Sequence, residues 1–518
     1  MRANEENELS GRPFRGFMLD SARCLENRAH YRAFIDFAAQ RGSTMLLWHF
    51  TDDQGCSLKF DSIPGLASPN AYSKTELREL VAYAAERGVE IVPELASLGH
   101  TRYVTRLPEF HHLAEAADGA HFSGMCPLSD QTRELFRQLI GEVCEVFDSR
   151  NFHVGFDEVN IGGHPLTQAA LKTRTKGDLL ADYAIFLNDV VRNNGRRMWM
   201  WADCTLKHRE MLARIPKDVV MCDWQYLPNA SPTTSQMLLD NGFDVLLCSA
   251  LISHDQTLFP GQQFSLPNVR AMQQHESLVS RGKILGHITT VWTPVRYIAD
   301  AMWLGIDLAA AIQRDGPKVA GFGALQRFGR EFYGFGNTAA LRFAEAATLL
   351  TTRSPRREEW VAIAKLRLPS GRSVADVRSA ADEWAEAAEM LGNLAIFAKS
   401  HSTELAAFRL MFDLLAYAYS ACAVACDPAS SSASLRRTVA AGHQIVRRLS
   451  EQWDAERFAN DARKWMAPIA SFQDDHLIPL IEGSVTTLEA TLPALAIEEI
   501  RRSSLEPQND SNTLPVSA

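Results

Sequence analysis

Two adjacent acids, Asp157 and Glu158, follow an apolar run of β-forming residues at positions 152–156. Buried strands exclude unpaired carboxylates, because burying a lone charge costs much free energy. The acids therefore mark a strand end that opens onto a pocket. Since successive strand side chains face opposite ways, the chain must turn at Asp157 for both acids to reach that pocket. Two carboxyls held so close cannot both ionise freely, so the pKa of one should rise towards neutrality, as a general acid requires. A solvated acidic turn is the alternative for the pair alone.

The elements that must position these acids form a repeating pattern. Short β-rich runs alternate with amphipathic segments over the first 292 residues, and the runs span residues 14–20, 44–50, 89–95, 152–158, 198–203, 219–224, 243–249 and 285–292. Eight such runs favour a closed parallel barrel over an open sheet. The predicted fold class is α/β, a (β/α)8 TIM barrel followed by a C-terminal α-helical domain.

Further acids and tryptophans stand where these runs end. Barrel enzymes place their sites at the carboxyl ends of the strands, so the recurrence predicts one pocket. A single residue of this kind could instead cap a helix, as Asp203 could. The long loop over residues 99–130 is also typical of a functional segment. The residues at the run ends are Asp20, His49, Asp52, Asp53, Glu94, Asp157, Glu158, Trp201, Asp203, Trp224, Ser253, His254, Asp255 and Trp292.

Composition excludes several classes of protein. Apolar residues make up 46% of the 518 and charged residues 22%, as in ordinary globular proteins. The net charge of −9 argues against a nucleic acid or an anionic membrane as partner. Nine scattered cysteines without a C-x-x-C pair indicate a reducing compartment. The polar start and the lack of a long apolar run predict no secretory signal and no membrane span, and hence a cytoplasmic protein.

Beyond residue 338 the β-rich runs give way to Ala- and Leu-rich stretches with helical periodicity, at 339–351, 374–398, 405–425, 434–453 and 455–466. We predict an N-terminal tail over 1–12, a catalytic barrel over 13–335, a helical bundle over 336–502 and a disordered tail over 503–518. The sequence leaves open whether the bundle forms a homo-oligomer, closes over the pocket or buries the flank of the barrel.

Four motifs occur in register along the barrel half. They are Arg15-Gly16-Phe17-Met18-Leu19-Asp20 with Arg23, then Trp48-His49-Phe50-Thr51-Asp52-Asp53, then Val92-Pro93-Glu94 with Gly99-His100-Thr101, and finally His153-Val154-Gly155-Phe156-Asp157-Glu158. Together they resemble the catalytic domain of glycoside hydrolase family 20, the β-N-acetylhexosaminidases. The last motif matches the family signature except at Phe156, where a glycine is usual.

The resemblance implies an exo-acting, retaining β-N-acetylhexosaminidase that releases terminal β-linked N-acetylglucosamine or N-acetylgalactosamine. Catalysis would be substrate-assisted, the 2-acetamido oxygen forming an oxazolinium intermediate. Glu158 would protonate the leaving oxygen and later activate water, and Asp157 would orient the acetamido group. The implied substrate is an oligosaccharide or glycoconjugate that contains amino sugars, and neither a cofactor nor a metal is required.

The resemblance also implies a set of binding residues. Trp201, Trp224 and Trp292 would enclose the sugar, with core packing as the alternative. Arg15 and Asp20 would bind ring hydroxyls, with a buried ion pair as the alternative. His100 with Asp52 or Asp53 would form a supporting pair, and His153 and Glu94 would lie behind it.

Two departures from the family pattern leave other readings open. The tyrosine of the usual Tyr-x-Asp pair after the seventh strand is missing, although Asp255 matches the acid and Tyr226 is a candidate replacement. Thr293 and Pro294 follow Trp292, where a glutamate is common. A glycosidase retuned to another amino sugar or a modified sugar, and a non-catalytic carbohydrate-binding protein, therefore remain alternatives. A metal-dependent hydrolase built on His49, His100 and His153 is disfavoured, because no short ligand motif is present.

Overall fold

Eight parallel strands form the closed barrel that the sequence predicts. The structure, a computed structural model, describes residues 13–116, 124–253, 258–279, 282–292, 296–319, 321–457 and 476–505. Neighbouring strands pair in the order β1-β10-β9-β8-β7-β6-β5-β2, and β2 closes onto β1. The strands are β1 (Phe14–Asp20), β2 (Met45–His49), β3 (Thr51–Asp52) and β4 (Gly55–Cys56), which form a separate hairpin, β5 (Glu90–Glu94), β6 (Asn151–His153), β7 (Arg197–Trp201), β8 (Val220–Trp224), β9 (Asp244–Ile252) and β10 (Ile284–Val291).

Helices connect the strands. The predicted capping box is present, because the Ser73 hydroxyl accepts a hydrogen bond from the Glu76 backbone N–H at 3.2 Å and the Glu76 carboxylate accepts one from the Ser73 N–H at 2.8 Å. The helices of the barrel half are α1 (Arg28–Gln40), α2 (Lys74–Ala85), α3 (Arg102–Thr105), α4 (Asp130–Cys144), α5 (Pro165–Ala170), α6 (Lys176–Asn193), α7 (Asp203–Lys207), α8 (Met211–Arg214), α9 (Thr233–Asp240), α10 (Ser265–Leu278) and α11 (Trp303–Asp315), with 3-10 turns at Pro64–Leu66, His111–Leu113 and Ala299–Ala301.

Strand periodicity decides which side chains enter the barrel. A buried apolar cluster fills the interior and includes Met18, Leu47, Val92 and Cys222. Because alternate side chains of a strand face the same way, the residues two positions further along also face the interior, at its carboxyl end. Those residues are Asp20, His49, Glu94 and Trp224.

The chain after the barrel is helical where it is described. The predicted boundary at residue 336 stays a prediction. The predicted helix 455–466 lies mostly outside the described residues, and the predicted tail 1–12 and residues 506–518 lie wholly outside them. The predicted disorder from residue 503 stays a prediction, and the last described helix ends at Leu505. The helices are α12 (Phe322–Glu331), α13 (Asn337–Arg353), α14 (Arg357–Ala364), α15 (Val374–Leu394), α16 (Ser402–Cys426), α17 (Ser432–Glu456) and α18 (Leu477–Leu505), with a 3-10 turn at Ala395–Phe397.

Helix α16 is the apolar centre of this half. By length and composition it could cross a membrane, and among the described residues it alone passes that test. However, 72% of its most apolar window is buried inside the protein, where it packs against α15 and α17. These contacts are those of a core helix.

The end of α17 holds the first and last barrel loops together. The Glu456 carboxylate accepts a hydrogen bond from the Ala299 N–H at 2.8 Å, and the Glu456 carbonyl accepts one from the Asn27 N–H at 2.7 Å. Arg457 pairs with Glu456 at 2.6 Å and donates to the Tyr297 carbonyl at 3.1 Å. Both charged side chains are buried. We call Glu456 and Arg457 the clasp.

Candidate active site

The turn after β6 presents the two adjacent acids to the pocket. The predicted strand over 152–158 is too long, since β6 ends at His153 and the backbone is already left-handed at Gly155 (φ 67°) and Phe156 (φ 79°). Glu158 is left-handed as well, with φ 49°. The side chain of Asp157 is 18% exposed and that of Glu158 is 38% exposed. The early turn thus brings both carboxyls to the same opening.

The raised pKa belongs to Asp157, whereas the roles inferred from the sequence required it of the proton donor Glu158 and took Asp157 as ionised. Burial raises the pKa of Asp157 to about 7. The imidazolium of His100 opposes the shift, and three neighbouring carboxylates add to it, those of Asp203, Glu94 and Glu158. Near neutral pH, Asp157 therefore exists in both protonation states.

His100 joins the acid pair to the carboxylates behind it. Its Nε2 lies 3.2 Å from Glu158 Oε2 and 3.6 Å from Asp157 Oδ2, and its Nδ1 lies 3.3 Å from Asp52 Oδ1. Burial disfavours a charged ring, but Asp52 and Asp157 outweigh it and raise the pKa of His100 well above its ordinary value. The protonated ring can donate to Asp52 on one side and to the acid pair on the other.

A second imidazole extends this network into the barrel. His49 Nε2 lies 2.8 Å from Asp52 Oδ2, and His49 Nδ1 lies 3.1 Å from Glu94 Oε2. Burial opposes its charge, yet Glu94 and Asp52 together raise the pKa of His49 to about 10. Acids and imidazoles therefore alternate from the floor of the pocket to Glu158.

Arg23 closes one side of the pocket. Its guanidinium pairs with Asp20 at 2.8 Å and with Asp52 at 2.9 Å, and it lies 5.3 Å from the centre of the Trp292 ring. The two carboxylates fix the arginine in place. Arg23 thus places a positive charge at this side of the pocket, next to Trp292.

Aromatic rings line the rest of the pocket. Trp201 lies deepest, 1% exposed, and its indole N–H donates to Glu94 at 2.7 Å. Trp292 lies 6.2 Å from Trp201 between ring centres and donates its indole N–H to the Tyr226 hydroxyl at 2.9 Å. Tyr226 in turn lies 5.0 Å from Trp224. These rings form a continuous apolar wall next to the acids.

Glu115 anchors the segment that follows the acid pair. This buried carboxylate accepts hydrogen bonds, each 2.9 Å long, from the backbone N–H groups of Gly162, Gly163 and His164 and from the Thr167 hydroxyl. A Cβ at Gly163 would lie 1.7 Å from the Glu115 carbonyl oxygen, so only glycine fits there. Glu115 therefore ties the long loop after β5 to the loop after β6.

Residues 13–293 match the family model described as the catalytic domain of glycosyl hydrolase family 20, and this match spans more than half of the chain. The chain belongs to this family. It is similar to the β-hexosaminidase of Vibrio furnissii, at 27% identity over 271 residues that cover 45% of this chain and 42% of the relative. It is also similar to a probable β-hexosaminidase of Arthroderma benhamiae, at 26% identity over 268 residues, 46% of this chain and 42% of the relative. The chain spans less than half the length of these curated relatives.

The fold resembles a solved structure with the same kind of barrel. The X-ray structure of Flavobacterium johnsoniae chitobiase superposes with a TM-score of 0.51 at 16% identity, covering 92% of this chain and 78% of the other. At this identity the likeness concerns the fold alone. The coverage extends well beyond the part that matches the family 20 model.

Arg15 is the one described residue of the predicted set that lies away from the family 20 pocket. It stands near the start of β1, five residues or about 17 Å before Asp20 at the strand end. Its parity also differs from that of Asp20, so its side chain faces outwards. Arg23, three residues after Asp20, lies at the pocket instead. The structure therefore places Arg23, and not Arg15, at the pocket.

The other predicted residues gather at the pocket. Asp53 accepts a hydrogen bond from the Arg102 N–H at 2.9 Å and lies 3.7 Å from His100. His153 accepts one from the Gly155 N–H at 3.0 Å and packs 4.5 Å from the Trp201 ring. Asp255, and with it the family acid after the seventh strand, lies outside the described residues, as do Thr293 and Pro294. The remaining members of the pocket are Asp157, Glu158, Asp20, Glu94, His100, Trp201, Trp224, Tyr226 and Trp292.

The sequence places His49 and Asp203 at run ends but gives them no part in the family 20 site, and it offers Asp52 only as an alternative to Asp53 beside His100. His49 and Asp52 form the inner half of the imidazole–carboxylate network, and Asp203 lies next to Glu158. For His49 the signal was the even spacing from Leu47, which the barrel interior contains. For Asp203 it was only its place after β7.

Two groups of described residues could hold a cation, namely Asp52, Asp53 and His100, and His100, Asp157 and Glu158. His100 belongs to both. Its ring nitrogens face carboxylates on both sides, Asp52 Oδ1 at 3.3 Å and Glu158 Oε2 at 3.2 Å.

Proposed function

We propose that this chain is an exo-acting, retaining β-N-acetylhexosaminidase that hydrolyses terminal β-linked N-acetylglucosamine or N-acetylgalactosamine by substrate-assisted catalysis. One observation carries the proposal, the arrangement in which His100 Nε2 lies 3.6 Å from Asp157 and 3.2 Å from Glu158 at the mouth of an aromatic pocket. The names of the β-hexosaminidase relatives support the same substrate class. The substrate is thus an amino-sugar-containing oligosaccharide or glycoconjugate.

Glu158 is the proton donor in this proposal. Its carboxyl is the more exposed of the pair, so it can reach the glycosidic oxygen of a bound sugar. As it gives up its proton, the His100 imidazolium at 3.2 Å stabilises the resulting carboxylate. The same carboxylate then takes a proton from the water that opens the oxazolinium ring.

Asp157 holds the nucleophile of the substrate itself. An ionised Asp157 accepts the acetamido N–H while the acetamido oxygen of the substrate bonds to the anomeric carbon and the glycosidic bond breaks, its oxygen taking the proton of Glu158. Asp157 then stabilises the positive charge of the oxazolinium ring. Since the pKa of Asp157 is about 7, the ionised form becomes scarce below neutral pH. The proposal therefore includes an activity that falls as pH decreases below 7.

The test compares Glu158→Gln with wild type on aryl β-N-acetylglucosaminides and β-N-acetylgalactosaminides. We expect kcat to fall about 100- to 10,000-fold for a poor leaving group and far less for a strongly acidic phenol, which leaves without protonation. Glu109→Gln is the matched control, since Glu109 is exposed on the long loop after β5. Full activity in Glu158→Gln, or an equal loss for both leaving groups, would contradict the assignment.

A second candidate is a family member retuned to another amino sugar or a modified sugar. It is favoured by Leu251 and Ile252 at the end of the seventh barrel strand and Ser253 just after it, where the family places its tyrosine. It is also favoured by Tyr226, which reaches the pocket from just beyond the end of β8. A panel of aryl glycosides that differ at the 2-position separates the two candidates. Sugar binding without any turnover would instead support a carbohydrate-binding protein.

A further inference from the structure

Asp203 lies between the proton donor and one aromatic wall of the pocket. It is the first residue of α7, close behind β7. Its Oδ2 accepts a hydrogen bond from the Glu158 backbone N–H at 2.9 Å, and its Oδ1 accepts one from the Trp224 indole N–H at 3.3 Å. Each carboxylate oxygen therefore holds a different element of the pocket.

Helix capping, the simple role for Asp203, does not account for these contacts. Ala202 occupies the N-cap position of α7, and no side chain caps that helix. The Asp203 carboxylate also accepts a weak contact from the Cys204 thiol at 3.8 Å. Its two strong acceptor sites are directed to Glu158 and Trp224, outside its own helix.

The contact with Glu158 falls at a strained position. Glu158 has φ 49°, a left-handed conformation that residues other than glycine adopt at a cost in free energy. Such a conformation persists where the surroundings hold it, and such positions cluster at functional sites. The hydrogen bond from the Glu158 N–H to Asp203 fixes the backbone that aims this carboxyl.

The contact with Trp224 extends the same support to the wall. Trp224 is partly exposed and packs 5.0 Å from Tyr226, whose hydroxyl accepts the Trp292 indole N–H. The carboxylate of Asp203 therefore sets the distance between the proton donor and the aromatic wall against which a sugar would lie.

The charge of Asp203 also acts on Asp157. Negative charge at Asp203 is one cause, after burial, of the raised pKa of Asp157. Besides Asp203, the titratable groups that act electrostatically on Asp157 include His100, Glu94, Glu158, His153, Cys204 and Tyr226.

We infer that Asp203 is a positioning residue that holds the Glu158 backbone and the Trp224 indole in their working geometry, and whose charge acts on Asp157. This inference rests on the proposed function, because it assigns a consequence for turnover. In this role Asp203 acts through Glu158 and Trp224 and does not touch the sugar.

The test uses full-length Asp203→Asn and Asp203→Glu on an aryl β-N-acetylglucosaminide over pH 5–9. Asn replaces one acceptor oxygen with a donor and removes the charge, so we expect kcat to fall about 10- to 100-fold with KM changed less than threefold. The acid limb of the kcat/KM profile should move to lower pH. Glu keeps the charge but displaces both oxygens, so its kcat should fall while the acid limb stays near its wild-type position.

Asp223→Asn is the matched control. Asp223 is also a buried carboxylate near a strand end, but it accepts hydrogen bonds from Ser235 at 2.6 Å and from Thr234 at 2.8 Å, away from the acid pair. We expect wild-type kcat and an unmoved acid limb. Wild-type kcat in Asp203→Asn, or a lower kcat with an unmoved limb, would overturn the inference. An inactive wild-type protein would instead overturn the proposed function.

A measurement independent of turnover covers the case in which the Asn variant folds poorly. The indole N–H of Trp224, assigned in a ¹H–¹⁵N spectrum by its loss in Trp224→Phe, should shift in Asp203→Glu because its acceptor moves. The same signal should stay in place in Asp223→Asn. An unshifted signal in Asp203→Glu would overturn the inference whatever the kinetics show.

Discussion

Asp157 shows how a single buried carboxyl serves both binding and pH response. Its carboxyl is 18% exposed and stands among other carboxylates, so the folded protein favours the neutral form. The proposed role needs the ionised form, because only that form accepts the acetamido N–H without competition from its own proton. The ionised state that catalysis needs is therefore the state of Asp157 that makes folding less favourable.

We expect Asp157→Asn to be more stable than wild type at pH 8. An acid whose pKa is higher in the folded protein than in the unfolded chain makes folding less favourable as pH rises, here from about 4 to about 7. Asparagine lacks that titration, and about three pKa units at about 1.4 kcal/mol each give an increase of about 4 kcal/mol in the free energy of unfolding at pH 8, with little change near pH 4. Urea denaturation at both pH values measures this. If the free energy of unfolding gained by Asp157→Asn over wild type were smaller at pH 8 than at pH 4, the raised pKa of Asp157 would be contradicted.

The pocket residues could be predicted from the sequence wherever the alternation of side chains along a strand directs them into the barrel. Asp20, His49 and Glu94 follow Met18, Leu47 and Val92 by two positions, so periodicity alone gives their direction. Arg15 stands out of phase with Asp20, and applying the same rule to it would have excluded it. Arg23 lies beyond the strand, where no periodicity applies and only the loop conformation decides its direction.

At the scale of elements, β6 is the strand whose length the sequence overstates. Residues 154–156 have the composition of a strand, yet Gly155 and Phe156 are left-handed. A phenylalanine gives no sign of a positive φ, because its ring is buried and packs 6.5 Å from Tyr183 as any core residue would. Composition predicts the barrel strands well where pairing is long, and fails where a turn replaces pairing.

The loop after β6 depends on one carboxylate, and we expect Glu115→Ala to lower the free energy of unfolding by about 3 kcal/mol. Removal of Glu115 leaves three backbone N–H groups and a hydroxyl without their shared acceptor. Urea denaturation measures the loss, and hydrogen exchange should speed up at residues 162–167. Glu109→Ala, an exposed position in the same connection, serves as the control and should leave stability unchanged. Unchanged exchange at 162–167 in Glu115→Ala would show that other contacts hold the loop.

At the scale of the whole molecule, the helical half and the barrel share the clasp. The Asn27 side chain donates to the Ala455 carbonyl at 2.6 Å, and the Glu456 carboxylate accepts the backbone N–H groups at residues 299 and 300. The first of these loops carries Arg23 and the second follows Trp292. Both sides of the pocket rim are thus fastened to the end of α17.

We expect Glu456→Ala to destabilise the protein by about 3–5 kcal/mol, because it removes the carboxylate that pairs with the buried Arg457 at 2.6 Å and that accepts the Ala299 and Asp300 N–H groups. The KM of the proposed reaction should also rise, since the loop that carries Arg23 loses its anchor. Differential scanning calorimetry and steady-state kinetics on one preparation give both values. Glu451→Ala, an exposed position one turn earlier in α17, should match wild type in both measurements. A normal melting temperature in Glu456→Ala would mean that the clasp contributes no net stability.

The clasp also sets an order of events during synthesis. Asn27 and its acceptor at Ala455 are separated by 428 residues. At about 5–20 residues per second, a ribosome needs roughly 20 to 90 s to make the chain between them. During that time the loop with Arg23 has left the ribosome while the helix end that holds it has yet to be made. The last barrel strand, β10, ends at Val291, so both sides of the pocket rim are fastened to α17 only after every strand of the barrel has been made.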